Sequence, residues 1–186
     1  MRFLNYCMSI KKNYICSVPF SSIEVQEHNN FLCCASWLTK SLPKGVSVKD
    51  SWNSLEAKDI RNSILDGSYR YCDSSQCPFL HKIESDKSPN PIGPIYSKDN
   101  LSKELSKVIE LHKNNEEYSP EVIQFSFDRT CNLKCPSCRI DLIVGDRKKI
   151  ESVKVTIEEI ENEYASDIKV LYITGSGDPF ISVGFR

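Results

Sequence analysis

Cys131, Cys135 and Cys138 stand within eight residues, spaced x3 then x2, so three thiols can converge on one centre from a single loop. A closed structural zinc site takes four ligands, and a [4Fe–4S] cube has four irons to fill. Three thiolates therefore occupy three positions and leave the fourth for a group that is not protein. The loop follows residues 121–128, EVIQFSFD, whose β-branched and aromatic content reads as a buried strand. Thr156 followed three residues later by Glu159 is a helix-capping pattern, and an apolar helical face runs on to Tyr164. Residues 167–174, DIKVLYIT, read as a second strand. Strand, loop, helix and strand predict a βαβ unit with a parallel sheet and the cysteine loop at its carboxyl edge, where α/β folds build their sites.

The first half of the chain carries a second group of thiols. Residues 13–20 start as a short strand that includes Cys16. Ser22 to Gln26 alternate polar and apolar, the pattern of a half-buried strand, and His28-Asn29-Asn30 signal a turn. Phe31-Leu32-Cys33-Cys34 then read as the returning strand of a hairpin. A helix opens near Asp50 or Ser51, either of which can cap it, with Trp52, Leu55, Ala57, Ile60 and Ile64 on one face. Gly67 stops that helix, and Cys72 and Cys77 follow at once. Cys16, Cys33 or Cys34, Cys72 and Cys77 make a four-thiolate site. Four thiolates bind zinc tetrahedrally as well as they hold an iron–sulfur cluster, and spacing alone does not separate the two.

The Cys-x3-Cys-x2-Cys loop after a first strand resembles the radical S-adenosylmethionine (SAM) superfamily. One βα unit later, Gly175-Ser176-Gly177-Asp178-Pro179 occupies the place of that family's glycine-rich, acidic SAM-binding turn, with Asp178 as the acidic member. Residues 1–85 resemble the SPASM and twitch domains that accompany such enzymes, through Cys16, Cys33 with Cys34, Trp52-Asn53-Ser54, Ile64-Leu65-Asp66-Gly67, and Cys72 with Cys77. The resemblance implies a fold in two parts. A small α+β SPASM/twitch-like domain (hairpin plus helix) precedes the first βαβ portion of an α/β partial TIM barrel. Residues 86–119 then form a linker and helix, and residues 120–186 the start of a radical SAM core.

It also implies a [4Fe–4S] cluster on Cys131, Cys135 and Cys138, SAM on its fourth iron, and an auxiliary [4Fe–4S] cluster in the first domain. The implied activity is reductive cleavage of SAM to a 5′-deoxyadenosyl radical that modifies a peptide, a protein or another substrate. The electron would come from a reductant such as a flavodoxin or ferredoxin. No catalytic side chain is assigned. Two departures stand out: His28 or Asn29 replaces the hairpin glycine, leaving Cys33 and Cys34 as alternative ligands, and Ser137 replaces the aromatic residue common before the third cysteine. A full barrel takes ~250 residues, so the stretch from residue 121 onward reads as an incomplete core, and the chain as a truncated or split form without turnover. The alternative function is a non-catalytic iron–sulfur or zinc-binding protein, or a zinc-binding interaction module.

Composition sets the remaining bounds. The formal net charge of −1 gives no bulk attraction to nucleic acid or membrane. No run approaches the ~18 apolar residues of a membrane span, and Asn5 with Lys11-Lys12 interrupts any signal-peptide core. The expectation is therefore a cytoplasmic protein in which nine cysteines serve metal rather than disulfides. Residues 87–94 hold three prolines and a glycine, which exclude helix and central strand and place a boundary near residues 85–96. Leu101, Leu105, Val108, Ile109 and Leu111 predict a helix capped by Asp99 or Asn100. Trp37 and Trp52 read as core, Cys7 as a plain small hydrophobe, and His81 and His112 as surface histidines.

Overall fold

The structure, a computed structural model, describes residues 11–85, 93–135, 137–138, 141–173 and 177–183. Among them are six α-helices and two sheets, a mixed α and β fold. In chain order the elements are β1 (Tyr14–Cys16), α1 (Val18–Ser21), β2 (Ser22–Val25), β3 (Asn30–Phe31), α2 (Val48–Asn53), α3 (Leu55–Leu65) and α4 (Pro78–Ser85). Then follow β4 (Ile95–Ser97), α5 (Lys103–Lys113), β5 (Val122–Phe125), α6 (Arg147–Tyr164) and β6 (Val170–Ile173).

The larger sheet runs β3-β2-β5-β6. β2 is antiparallel to β3 but parallel to β5, and β5 is parallel to β6 across the α6 crossover. The predicted βαβ unit is thus present, and the hairpin of the first half extends its sheet. The smaller sheet is the antiparallel pair β1-β4, with Tyr14 opposite Ser97 and Cys16 opposite Ile95. Side chains alternate sides along a strand, so Ile23, Val25, Ile123 and Phe125 enter the core while Glu24 and Gln124 look out on the other face. Trp52, Ala57 and Ile60 from α2 and α3, and Val153, Ile160 and Tyr164 from α6, cover the inner face. A second core gathers Ile15, Phe20, Ile64, Tyr69, Leu80, Leu105 and Ile109, and Cys16, Cys72 and Cys77 pack against its edge. β6 is the open edge of the large sheet, and all four of its residues are exposed.

Several local expectations need correction. Ser47, rather than Asp50 or Ser51, caps α2 by accepting from Asp50 N–H at 2.9 Å. The expected single helix breaks at Ser54, whose hydroxyl oxygen caps α3 by accepting from Ala57 N–H at 3.1 Å. Ser102, not Asp99 or Asn100, caps α5. Helix α6 begins at Arg147, capped by Asp146, well before Thr156; Thr156 Oγ1 instead donates to the Ser152 carbonyl at 2.9 Å within the helix. The returning strand stops at Phe31, short of Cys33 and Cys34. Trp52 is core, but Trp37 is only half-buried, edge-on to Phe79.

His112 is buried rather than at the surface. It completes the stripe Leu105, Ile109, His112 on α5, sets its ring edge-on to Phe20, and brings Nε2 to 2.9 Å from Asn62 Oδ1. Burial pushes its pKa down to about 4, and Arg61 and Lys58 add to the shift. The unfolded chain takes up a proton near pH 6.5 that the folded chain refuses until about pH 4. The histidine therefore contributes nothing to pH dependence above 6.5, and stability falls as pH drops from there towards 4. Between pH 7 and pH 5 the expected loss is on the order of 2 kcal/mol. Urea midpoints measured at both pH values for the wild type and His112→Gln check this: the variant is expected to flatten the profile, and an equally steep one refutes it.

Candidate metal centres

The first thiol group is assembled by three turns. Cys16 ends β1, Cys33 follows β3, and Cys72 and Cys77 lie between α3 and α4. Gly67, with φ +76°, ends α3 where a β-carbon would lie 2.6 Å from Lys12 Cα, so the chain can pass close beneath β1 only with glycine there. Tyr69 Oη then donates to the Tyr14 carbonyl at 3.0 Å, and Tyr69 itself is 3% exposed. The Cys72–Cys77 turn is fixed by Asp73, whose Oδ1 accepts from Ser75 N–H at 2.8 Å and from the Ser75 hydroxyl at 2.6 Å. Cys77 N–H donates to the Asp73 carbonyl, and Asp73 N–H to the Trp37 carbonyl, each at 2.9 Å, tying this turn to the segment after Cys34.

Cys33, Cys72 and Cys77 lie near enough to Cys16 to act on its thiol. Burial raises the Cys16 thiol well above its ordinary pKa, and Cys33, Cys72 and Cys77 each push it further in the same direction, against a hydrogen bond from Val18 N–H that favours the thiolate. Burial likewise lifts Cys33 to about 12, with Cys77, Cys72 and Cys34 adding to it against the Cys34 N–H. Cys72 reaches about 12 through burial and then Cys77, and Lys11 opposes. Of the two alternatives in the hairpin, Cys33 therefore joins the group; Cys34 is exposed, with its sulfur 3.2 Å from Ser36 Oγ.

Among the described residues no three His, Cys, Asp or Glu side chains stand in an arrangement that holds a metal ion. The four thiols are neighbours short of coordination geometry. Protonated thiols gain nothing by turning their sulfurs to one point, and metal binding must first remove those protons. The donor chemistry, four soft sulfurs with backbone N–H groups aimed at two of them, fits zinc or an iron–sulfur cluster.

The second group sits where sequence placed it, beyond the carboxyl end of β5. Cys131 is 8% exposed, and its backbone pairs with Ile143 in both directions, at 2.8 and 3.3 Å, closing the loop at its base. Cys135 and Cys138 are exposed, and Cys138 N–H donates to the Cys135 carbonyl at 2.9 Å. Gly177 and Asp178 lie against residues 128–130, immediately before this loop. Asp178 N–H donates to the Thr130 carbonyl at 2.8 Å, and Asp178 Oδ1 accepts from Phe180 N–H at 3.0 Å. Gly175 and Ser176 fall outside the described residues, as does Cys7.

Asp128, Ser182 and Lys149 join the two segments and were not singled out from sequence. Burial alone would raise the Asp128 carboxyl, but hydrogen bonds from the Ser182 hydroxyl and from Thr130, together with Lys149, hold it below the usual carboxylate range. Lys149 Nζ donates to the Phe127 carbonyl at 2.8 Å and pairs with Glu27 at 3.0 Å. The Asp128-Arg129-Thr130 turn had a readable signal: aspartate that accepts the N–H two residues on, here at 2.9 Å. Beneath the loop, Asp128, Thr130, Ile143, Gly145 and Lys149 line an open cleft of about 290 Å³.

Comparison of the chain with family models, curated proteins and solved structures gives no match. Among the described residues no helix is long and apolar enough to cross a membrane.

Proposed function

We propose that this chain is an iron–sulfur protein of the radical SAM type. The observation that carries the reading is the apposition of Gly177-Asp178 with residues 128–130, immediately before Cys131, at the carboxyl ends of adjacent parallel strands β5 and β6. Cys131, Cys135 and Cys138 would hold three irons of a [4Fe–4S] cluster, and the Gly177-Asp178 turn would meet the amino end of SAM. Such a cluster, once reduced by a flavodoxin- or ferredoxin-like donor, supplies the electron that cleaves SAM to a 5′-deoxyadenosyl radical for hydrogen abstraction from a peptide or other substrate. The chain's own part is ligation and positioning. Asp128 and Ser182 pin the turn to the cysteine loop, and the Cys131–Ile143 pairing fixes the loop's base. Cys16, Cys33, Cys72 and Cys77 would hold an auxiliary cluster, in keeping with a reducing, cytoplasmic setting.

A second reading is a metal-binding protein without catalysis, with zinc or a cluster on the first thiol group alone. Its support is the exposure of Cys135 and Cys138 and the open β6 edge, which leave the second site shallow. Anaerobic reconstitution separates the two. Two cubane clusters give about eight irons per chain, and Cys131, Cys135 and Cys138 changed together to Ala should leave about four. Zinc without visible absorbance sinks the cluster reading. Formation of 5′-deoxyadenosine from SAM after reduction tests turnover, and its absence with both clusters loaded favours the non-catalytic reading.

A further inference from the structure

The second thiol group contains a pair as well as a triple. Cys135 and Cys138 enclose two residues, the spacing of dithiol redox motifs. Cys138 N–H donates to the Cys135 carbonyl at 2.9 Å. A bond of that kind closes a four-residue turn and holds its first and fourth Cα atoms within about 7 Å. A disulfide takes Cα atoms about 4.4–6.8 Å apart, so the turn brings this pair into the range such a bond needs. Among the described cysteines only Cys34, Cys135 and Cys138 are exposed. Cys131 is buried, with its backbone held to Ile143, and Cys16, Cys33, Cys72 and Cys77 are half-buried, where an attacking sulfur reaches them less readily. The direct neighbour of Cys34 is Cys33, with its Cα about 3.8 Å away, closer than a disulfide allows.

We propose that in the metal-free chain Cys135 and Cys138 close into a reversible disulfide, with a small-molecule disulfide of the glutathione class as oxidant. One thiolate of the pair attacks a sulfur of the oxidant, whose S–S bond breaks, and one glutathione leaves and takes up the proton. The second protein thiol then attacks the protein sulfur of that mixed disulfide and releases the other glutathione. Two protein S–H bonds are lost and one S–S bond is gained; the two glutathione thiols carry off both protons and both electrons. In a reducing compartment exposed disulfides of this kind are transient and serve as redox sensors. The consequence for the site rests on the radical SAM reading. Oxidation withdraws two of the three thiolates that would hold the cluster, and a bound cluster shields the same two from oxidation. The disulfide itself needs only the turn.

The test exposes the full-length chain, reduced and freed of metal, to oxidised glutathione under anaerobic conditions. Remaining thiols are then alkylated, and disulfides are mapped by peptide mass spectrometry. A Cys135–Cys138 link in most chains is expected, reversed by dithiothreitol. Cys131→Ser should keep the link, whereas Cys138→Ser should lose it and leave glutathione on Cys135. A loop that carries glutathione adducts alone, or a link from Cys131 to either cysteine, overturns the proposal. The same oxidation applied to chain reconstituted to about eight irons tests the underlying reading separately. Protection of the pair, with the link falling about tenfold or more against the metal-free chain, supports a cluster on these thiolates. A link that forms equally while the iron is retained upholds the disulfide and removes the cluster from Cys135 and Cys138.

Discussion

Arg61→Ala is expected to lower folding stability by about 4 kcal/mol, the sum of a cavity and two stranded acceptors. Arg61 is 2% exposed, and no carboxylate pairs with it among the described residues. Its Nε donates to the Pro19 carbonyl at 2.8 Å and its Nη1 to the Trp52 carbonyl at 2.9 Å. The guanidinium lies 4.1 Å from the Trp52 ring centre and 5.3 Å from that of Tyr118. Burial pulls its pKa down to about 10, so it still carries its charge at neutral pH, and Nη2 has no hydrogen-bond partner. Losing an unpaired buried charge is a gain, whereas losing its packing and its two hydrogen bonds is not.

Arg61→Met separates these effects, because it keeps most of the volume. The methionine variant is expected to lose about half as much as alanine in urea unfolding with an unchanged m-value. Equal losses would assign the whole effect to the stranded carbonyls, and an unshifted midpoint for Arg61→Ala would discard the role altogether. The residue also lies between the segments that lead to the two candidate centres. Pro19 lies three residues beyond Cys16, and Trp52 Nε1 donates at 2.7 Å to the Tyr118 carbonyl, just ahead of the strand that leads to Cys131.

Gly177→Ala is expected to lift the turn at residues 177–183 away from the cysteine loop. An alanine β-carbon would collide with the Asp128 carbonyl oxygen and lie 2.7 Å from the Thr130 oxygen and 3.0 Å from the Arg129 carbonyl carbon. All three are backbone atoms, so no side chain can swing aside to make room. Overpacking of this kind costs about 1–3 kcal/mol, and because the clash lies at one turn the loss should be local. Amide exchange at Asp178, whose N–H donates to Thr130, is expected to quicken by about a hundredfold while amides of β2 and β5 keep their protection. Unchanged exchange at Asp178 would show that the turn is not held there by this contact. Under the radical SAM reading, the same variant should weaken SAM binding and leave metal at Cys16, Cys33, Cys72 and Cys77 intact.

Local periodicity carried much of the fold. The alternation in residues 22–26, the turn before Phe31, the apolar stripe of α5 and the strands on either side of α6 all follow from patterns of two or 3.6 residues. Capping was harder to read, because serine, threonine, asparagine and aspartate compete within a few positions. Ser47, Ser54 and Ser102 won over their neighbours once tertiary packing fixed where each helix turned. His112 was misplaced because its neighbours in sequence, Leu111 and Lys113, say nothing of Phe20 and Asn62, which enclose it from other elements. The pairings β1 with β4 and β2 with β5 join segments far apart in the chain and leave no local mark. In the candidate sites, cysteine spacing marked the turns that carry the thiols, and the hydrogen bonds of Asp128 and Asp73 explain how those turns are held. The choice of Cys33 over Cys34 rests on burial in three dimensions, Cys34 being exposed beside Ser36.

The parallel pairing of β2 with β5 also sets an order of events during synthesis. Ser22 pairs with Val122, a hundred residues later. At ribosomal rates of about 5–20 residues per second, the hairpin waits roughly 5–20 s for its parallel neighbour. Cys16, Cys33, Cys72 and Cys77 have all been made before then, so the first thiol group can gather on the nascent chain while the sheet that will bury Ile23 and Val25 is still unmade. In that interval the β2 backbone is an unpaired edge, and its apolar side chains depend on β5 leaving the ribosome before they find their core.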